Sequence, residues 1–264
     1  MPNGSAMFPR VCKTSVVNTS SRSVLTASLA AVVALAAYVG TVPLTIVIVV
    51  LVLSLSIGWA PLLNLAAPKG SAFVIGVTGL GAVGVLAGET NLASLDLLPL
   101  VLAMGVILTF INELLRKDER KDLMISLSGT ISGVVVTVAS AGWLATVTGD
   151  LGIELVTTAA AALAASSTVV ALKIVEWLRA GLCIVVGASI GVLVSFVLPQ
   201  IDAFFGLWSG MIAGLLVITL NLLFQHLDAE LPSRENWLAN LALVVLPVAL
   251  GGIMVYVVSH VLNG

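Results

Sequence analysis

Charge is the scarcest thing in this sequence. Charged side chains are 9% of its 264 residues against 59% hydrophobic, and with a mean hydropathy of +1.19 the chain has too little polar surface to cover a water-soluble globule. Period-two alternation of polar and apolar residues is also missing, which excludes a transmembrane barrel. The two cysteines, Cys12 and Cys183, and the two histidines, His226 and His260, lie too far apart for a disulfide framework or a local zinc site. No basic stripe suits nucleic acid as a partner. No nucleophile stands beside a base in sequence, and no cofactor is implied.

What is present is a series of long Ala/Val/Leu/Gly runs. A helix needs about 17 to 25 apolar residues to cross a bilayer, and against lipid only structures that satisfy their own backbone are stable. Spans of that length fall at 24–40, 43–62, 71–88, 97–115, 123–146, 153–175, 180–198, 203–225 and 237–261. Residues 1–22, rich in Ser, Thr and Asn, read as a flexible cytoplasmic tail, and residues 23–264 as a single transmembrane domain. A positive segment before an apolar run also opens a signal peptide. Here the apolar pattern resumes directly after Gly40-Thr41-Val42-Pro43, which predicts a retained first helix and a tight hairpin.

The expected fold class is therefore all-α, a polytopic bundle of about nine spans. With the amino terminus inside, the cytoplasmic segments hold Arg10, Lys13, Arg22, Lys69, Arg116, Lys117, Arg120, Lys121, Lys173, Arg179 and Arg234, while the outer loops hold Glu89, Asp96, Asp150, Glu154 and Asp202 and no base. Translocating Lys or Arg is disfavoured, so this distribution places the carboxyl terminus outside and the protein in the plasma (inner) membrane. Loops as short as Pro199-Gln200-Ile201-Asp202 leave function to the helices and the cytoplasmic rim.

Gly79-Leu80-Gly81-Ala82-Val83-Gly84 matches the dinucleotide fingerprint in letters. That motif needs a strand, a tight turn and a helix amino terminus, and here it lies inside an apolar run, so it predicts a packing face. Gly129 and Gly133, Gly187 and Gly191, and Gly206, Gly210 and Gly214 have the four-residue spacing that lets helices approach closely in lipid. They predict contacts within the bundle or a seam with a membrane-protein partner or a second copy.

The candidate polar site gathers at the cytoplasmic side. Asn112, Glu113 and Arg116 end the fourth span, Ser126 and Ser128 open a hydroxyl-rich fifth, Lys173 and Glu176 end the sixth, and Asn221 and His226 close the eighth with Gln225. Ionisable groups inside spans are costly and often mark a site, which predicts a shared polar cavity. The competing expectations are that Lys173 and Glu176 pair on one helix, that the hydroxyls bond their own helix carbonyls, and that the mixed-sign run from Arg116 to Asp122 is a solvated loop.

Arg22 before a span, the Gly40/Pro43 break, and a basic loop ahead of a Ser/Gly-rich fifth helix in a nine-helix layout resemble the CDP-diacylglycerol synthase (phosphatidate cytidylyltransferase) family over residues 22 to 146. The resemblance implies a magnesium-dependent transferase acting on a lipid phosphate. The family signature has a Lys-Asp pair, a Pro-Gly-His-Gly-Gly turn and paired aspartates. The stretch from Asn221 to Arg234 has no such turn and no second lysine, so the activity is not carried over.

The expected function is a non-catalytic component of a membrane or cell-envelope assembly that binds lipid or a protein. The alternatives are a transporter or flippase of a lipid-linked or small solute, with Pro247 and Gly251-Gly252 breaking the last helix, and a cytidylyltransferase-like enzyme with Glu113, Asp122, Asp228 or Glu230 as metal ligands. Reporter fusions before residue 22 and after residue 262 are expected to sit in opposite compartments. Finding both in one compartment would refute the nine-pass layout.

Overall fold

The computed structural model describes residues 19–88, 97–116, 122–149, 151–172, 174–198, 202–230 and 237–263, with side chains described between 21 and 225 and between 237 and 260 of those. Ten helices follow in order: α1 (Thr19–Val39), α2 (Thr41–Leu62), α3 (Pro68–Gly88), α4 (Leu98–Leu115), α5 (Leu123–Ser140), α6 (Gly142–Val147), α7 (Gly152–Val170), α8 (Glu176–Val197), α9 (Ala203–Glu230) and α10 (Trp237–Asn263). Among the described residues there is no strand, and nine segments are long and apolar enough to cross a membrane, with α5 and α6 forming one of them. The protein is an all-helical, multi-pass membrane bundle.

Several boundaries depart from the sequence reading. The first helix starts at Thr19, so Arg22 belongs to α1 and not to the tail. Glu176 opens α8, whereas α7 stops at Val170; Glu176 pairs with Arg179, 3.8 Å apart, and the predicted pairing of Lys173 with Glu176 lies outside the described residues. α9 continues to Glu230, which puts Asp228 and Glu230 on helical backbone and not in a loop. α10 runs unbroken through Pro247, Gly251 and Gly252, because neighbouring helices in a bundle can support a proline that would end an isolated helix.

A single residue, Gly40, joins α1 to α2 with φ 146°, a backbone region that glycine enters without steric cost. α10 lies at the centre, packed against α1, α2, α5, α6, α7 and α9. Arg22 bonds Asn240 and Thr26 bonds the Val244 carbonyl, so α1 and α10 run in the same direction. Gly58, late in α2, abuts Leu238 and Ala242 at the start of α10, so α2 is antiparallel to both. One end of the bundle thus collects the starts of α1, α3, α5, α8 and α10 and the ends of α2, α4, α7 and α9. All four described bases, Arg22, Lys69, Arg116 and Arg179, lie at this basic face, and Glu154 and Asp202 at the other.

Close backbone approach holds the helices together. Between α8 and α9, a Cβ at Gly187, Gly191, Gly206 or Gly210 would run into a carbonyl of the facing helix, and one at Gly214 would lie 2.5 Å from the Cys183 carbonyl oxygen. These glycines are an internal seam. Gly129 and Gly133 instead receive side chains, Leu65 on the first and Trp59 and Ile75 on the second. In the fingerprint-like run only Gly79 is closely packed, against Val52 and Thr137; Gly84 has open space around it and Gly81 is exposed, so the predicted packing face is confined to Gly79 and its neighbour Gly76.

Two indoles lock the centre. Trp143 is fully buried and donates its Nε1–H to the Val248 carbonyl at 2.8 Å, while Trp59 donates to the Gly129 carbonyl at 2.8 Å. A buried indole needs such an acceptor. α5 gives way to α6 at Ala141, where a Cβ on Gly142 would stand 2.6 Å from the Gly252 carbonyl. Gly191→Leu is expected to cost about 3 kcal/mol by forcing α8 off α9, and Gly84→Leu to stay within about 0.5 kcal/mol. Unfolding in mixed micelles measures both, and equal effects would contradict the seam.

Candidate functional site

Polar side chains near a membrane interface face a choice set by solvation. Either they satisfy one another and become part of the scaffold, or they keep unused capacity that a ligand can meet. The basic face contains a group of each kind.

The first group joins α3, α4 and α5. Glu113, buried at the end of α4, accepts from the Ser126 hydroxyl on one carboxylate oxygen and pairs with Arg116 at 3.2 Å on the other. Ser126 is itself buried, and its carbonyl accepts from Thr130, whose hydroxyl also lies 2.9 Å from Ser71 Oγ. Asn112 sits against Gly70, where no side chain would fit, and its Nδ2 is buried with no partner. Ser128 turns outward and bonds the Ile125 carbonyl at 3.3 Å. Both Glu113 oxygens are taken, so this group serves as a clasp between α4 and α5.

The second group joins α1, α7, α8, α9 and α10. Gln225 of α9, with its amide turned to match its neighbours, donates to Glu176 at 2.6 Å and accepts from Arg179 Nη2 at 2.9 Å and Asn221 Nδ2 at 3.1 Å. Across from it, Arg22 donates through Nη2 to Asn240 Oδ1 at 2.6 Å. Between these pairs lies a cleft of about 50 Å³, lined on its polar side by Arg22, Ser23, Thr26, Ser167, Asn221 and Gln225. A water needs about 10–15 Å³ on the same measure, so the cleft has room for a group the size of a phosphate.

The cleft joins one guanidinium to side-chain amides and hydroxyls. Among the described residues its lining contains one cation and no carboxylate. Guanidinium and amide donors together recognise planar or tetrahedral oxyanions well. Thr26 and Ser167 spend their protons on the Val244 and Leu163 carbonyls, which fixes their rotamers. Pro247, also in the wall, has no N–H, so the Leu243 carbonyl loses its helical donor there.

The predicted site residues are thus divided. Asn112, Glu113, Arg116 and Ser126 come together, with Ser128 beside them facing away; Glu176 and Asn221 belong to the other group. α4 packs on α3 and α5, and α8 on α7 and α9, so among the described residues the two groups rest on separate sets of helices and share no cavity. Lys173 lies outside the described residues, and His226 is in α9 with its side chain outside them. Asn240, Ser167 and Ser23 went unnoticed in the sequence. An amide three residues past Trp237 and at the head of an apolar run was the available signal for Asn240.

Glu113→Ala is expected to destabilise the bundle by about 1–3 kcal/mol, since it takes the acceptor from the buried Ser126 hydroxyl. Ser128→Ala should change stability by less than about 0.5 kcal/mol. Thermal unfolding in detergent separates the two, and a neutral Glu113→Ala would dismiss the clasp.

Compared with known proteins, the chain matches no family model, no curated protein and no solved structure.

Proposed function

We propose that the protein is a non-catalytic, multi-pass component of the plasma membrane that binds an anionic membrane lipid on its cytoplasmic side, as part of a membrane or cell-envelope assembly. The gathering of Arg22, Lys69, Arg116 and Arg179 at one face supports making that face cytoplasmic, with the end of α10 outside. The observation that carries the function is the cleft. Arg22, Asn221, Gln225 and the hydroxyls of Ser23, Thr26 and Ser167 converge there at the basic end of the bundle.

Several features favour binding over turnover or transport. The buried carboxylate Glu113, a candidate metal ligand in an enzyme reading, is engaged by Ser126 and Arg116. The continuity of α10 removes the broken helix that supported a transporter. A protein partner has one specific support of its own: Gly84 and Gly88 of α3, four residues apart, are exposed with open space around them, a surface on which a partner helix or a second copy could approach closely.

Native mass spectrometry of the protein released from nanodiscs containing phosphatidylglycerol and phosphatidylcholine tests the lipid reading. Phosphatidylglycerol is expected to be retained preferentially, and Arg22→Gln to lower that retention about tenfold, the equivalent of one lost charge-assisted contact. Equal retention of both lipids by the unaltered protein would end the proposal.

A further inference from the structure

On the other flank of the contact between α1 and α10 lies an open, mostly apolar groove of about 430 Å³. Its walls are Leu25, Leu29 and Val32 of α1 and Leu241, Val244 and Val245 of α10. Its volume falls within the range of small-molecule sites, about 300–1,000 Å³. The depth comes from small residues, since Ser28 of α1 and Ser54 of α2 line it where larger side chains would fill it. From Leu25 to Val32 the helix rises about 10 Å, so the groove follows the bilayer normal for that distance.

The groove is apolar along its length and polar at one end. Asn240 lines the groove, and its Oδ1 accepts from the guanidinium of Arg22, which lines the cleft. The two depressions therefore meet at the Arg22–Asn240 bond. Trp237, 70% exposed, stands at the same end, where an indole suits the headgroup level. An occupant with a negative head and a long hydrocarbon tail matches this order of surfaces, and a soluble anion would leave the groove unused.

We infer that the groove seats one acyl chain of the anionic lipid whose phosphate lies at Arg22. This rests on the reading of the cleft as a headgroup site, and adds that the ligand is selected by its chain as well as by its charge. Burial from water contributes little, because the chain would otherwise lie among other chains. The gain is dispersion against fixed walls, the same term that drives helices together in lipid.

Ser54→Phe fills the groove without touching Arg22 or the cleft. In nanodiscs of long-chain phosphatidylglycerol and phosphatidylcholine, Ser54→Phe is expected to lower phosphatidylglycerol retention about tenfold. In detergent it should leave the binding of dihexanoyl phosphatidylglycerol unchanged, whereas Arg22→Gln lowers both. If Ser54→Phe holds long-chain lipid as well as the unaltered protein does while Arg22→Gln loses it, the chain site is refuted and the headgroup site stands. If neither variant matters, both fail. A photo-crosslinking residue at Leu29 gives a readout that does not depend on the phenylalanine variant folding: an adduct with the mass of a lipid supports the inference, and an adduct with a polypeptide, or none, overturns it.

Discussion

Inside a bilayer, an apolar side chain gains nothing by turning away from lipid, so the closeness of backbones decides which helices associate. Three of the helix contacts in this bundle follow from that constraint. α8 and α9 approach through Gly187, Gly191, Gly206, Gly210 and Gly214, α6 meets α10 through Gly142 and Gly252, and α2 meets α10 at Gly58. α10 can be surrounded because Ala239, Ala242, Ala249, Gly251 and Gly252 are small on several sides. Trp143 then fills what these residues leave and fixes the rotation of α10 through the Val248 carbonyl. With α10 held in this way, Asn240 and Pro247 are presented to α1 and to the cleft.

The two polar groups of the basic face show how similar residues come to opposite ends. Glu113 has a donor on each oxygen, which ties the end of α4 to the start of α5. The cleft is built from neutral amides, hydroxyls and one guanidinium. Thr26 and Ser167 spend their protons on backbone carbonyls, whereas the Nε–H of Arg22 is buried with no acceptor among the described residues. The first group ties α4 to α5, and the second is the one proposed to take a headgroup.

Much of the architecture was legible because it follows from hydropathy and from the cost of moving bases through lipid. The expected spans lie close to the helices seen, apart from Thr19–Arg22, Glu176–Arg179 and the extension of α9 to Glu230. The Glu176 boundary was missed because Ile174 and Val175 continue the apolar pattern of α7 while the backbone has already turned. Glycine spacing identified the α8–α9 seam but could not separate Gly79, packed on Val52, from Gly84, which touches nothing. The site was less legible for a plain reason. Arg22 and Asn240 are 218 residues apart, and no local pattern links them.

That long-range pair also ties the site to the topology. The bonds from Arg22 to Asn240 and from Thr26 to Val244 advance by four residues on both helices, one helical turn each, so α1 and α10 must be parallel. Two parallel spans require an even number of reversals between them, and hence an odd number of passes from the first to the last. The same parity that strands the bases on one side therefore brings the start of α10 beside the start of α1, at the basic face and not across the membrane from it. A bundle with one span fewer would place Asn240 at the opposite surface and leave neither the cleft nor the groove with its second wall. The cleft and the groove are consequences of the odd count, and they exist only once α10 has docked.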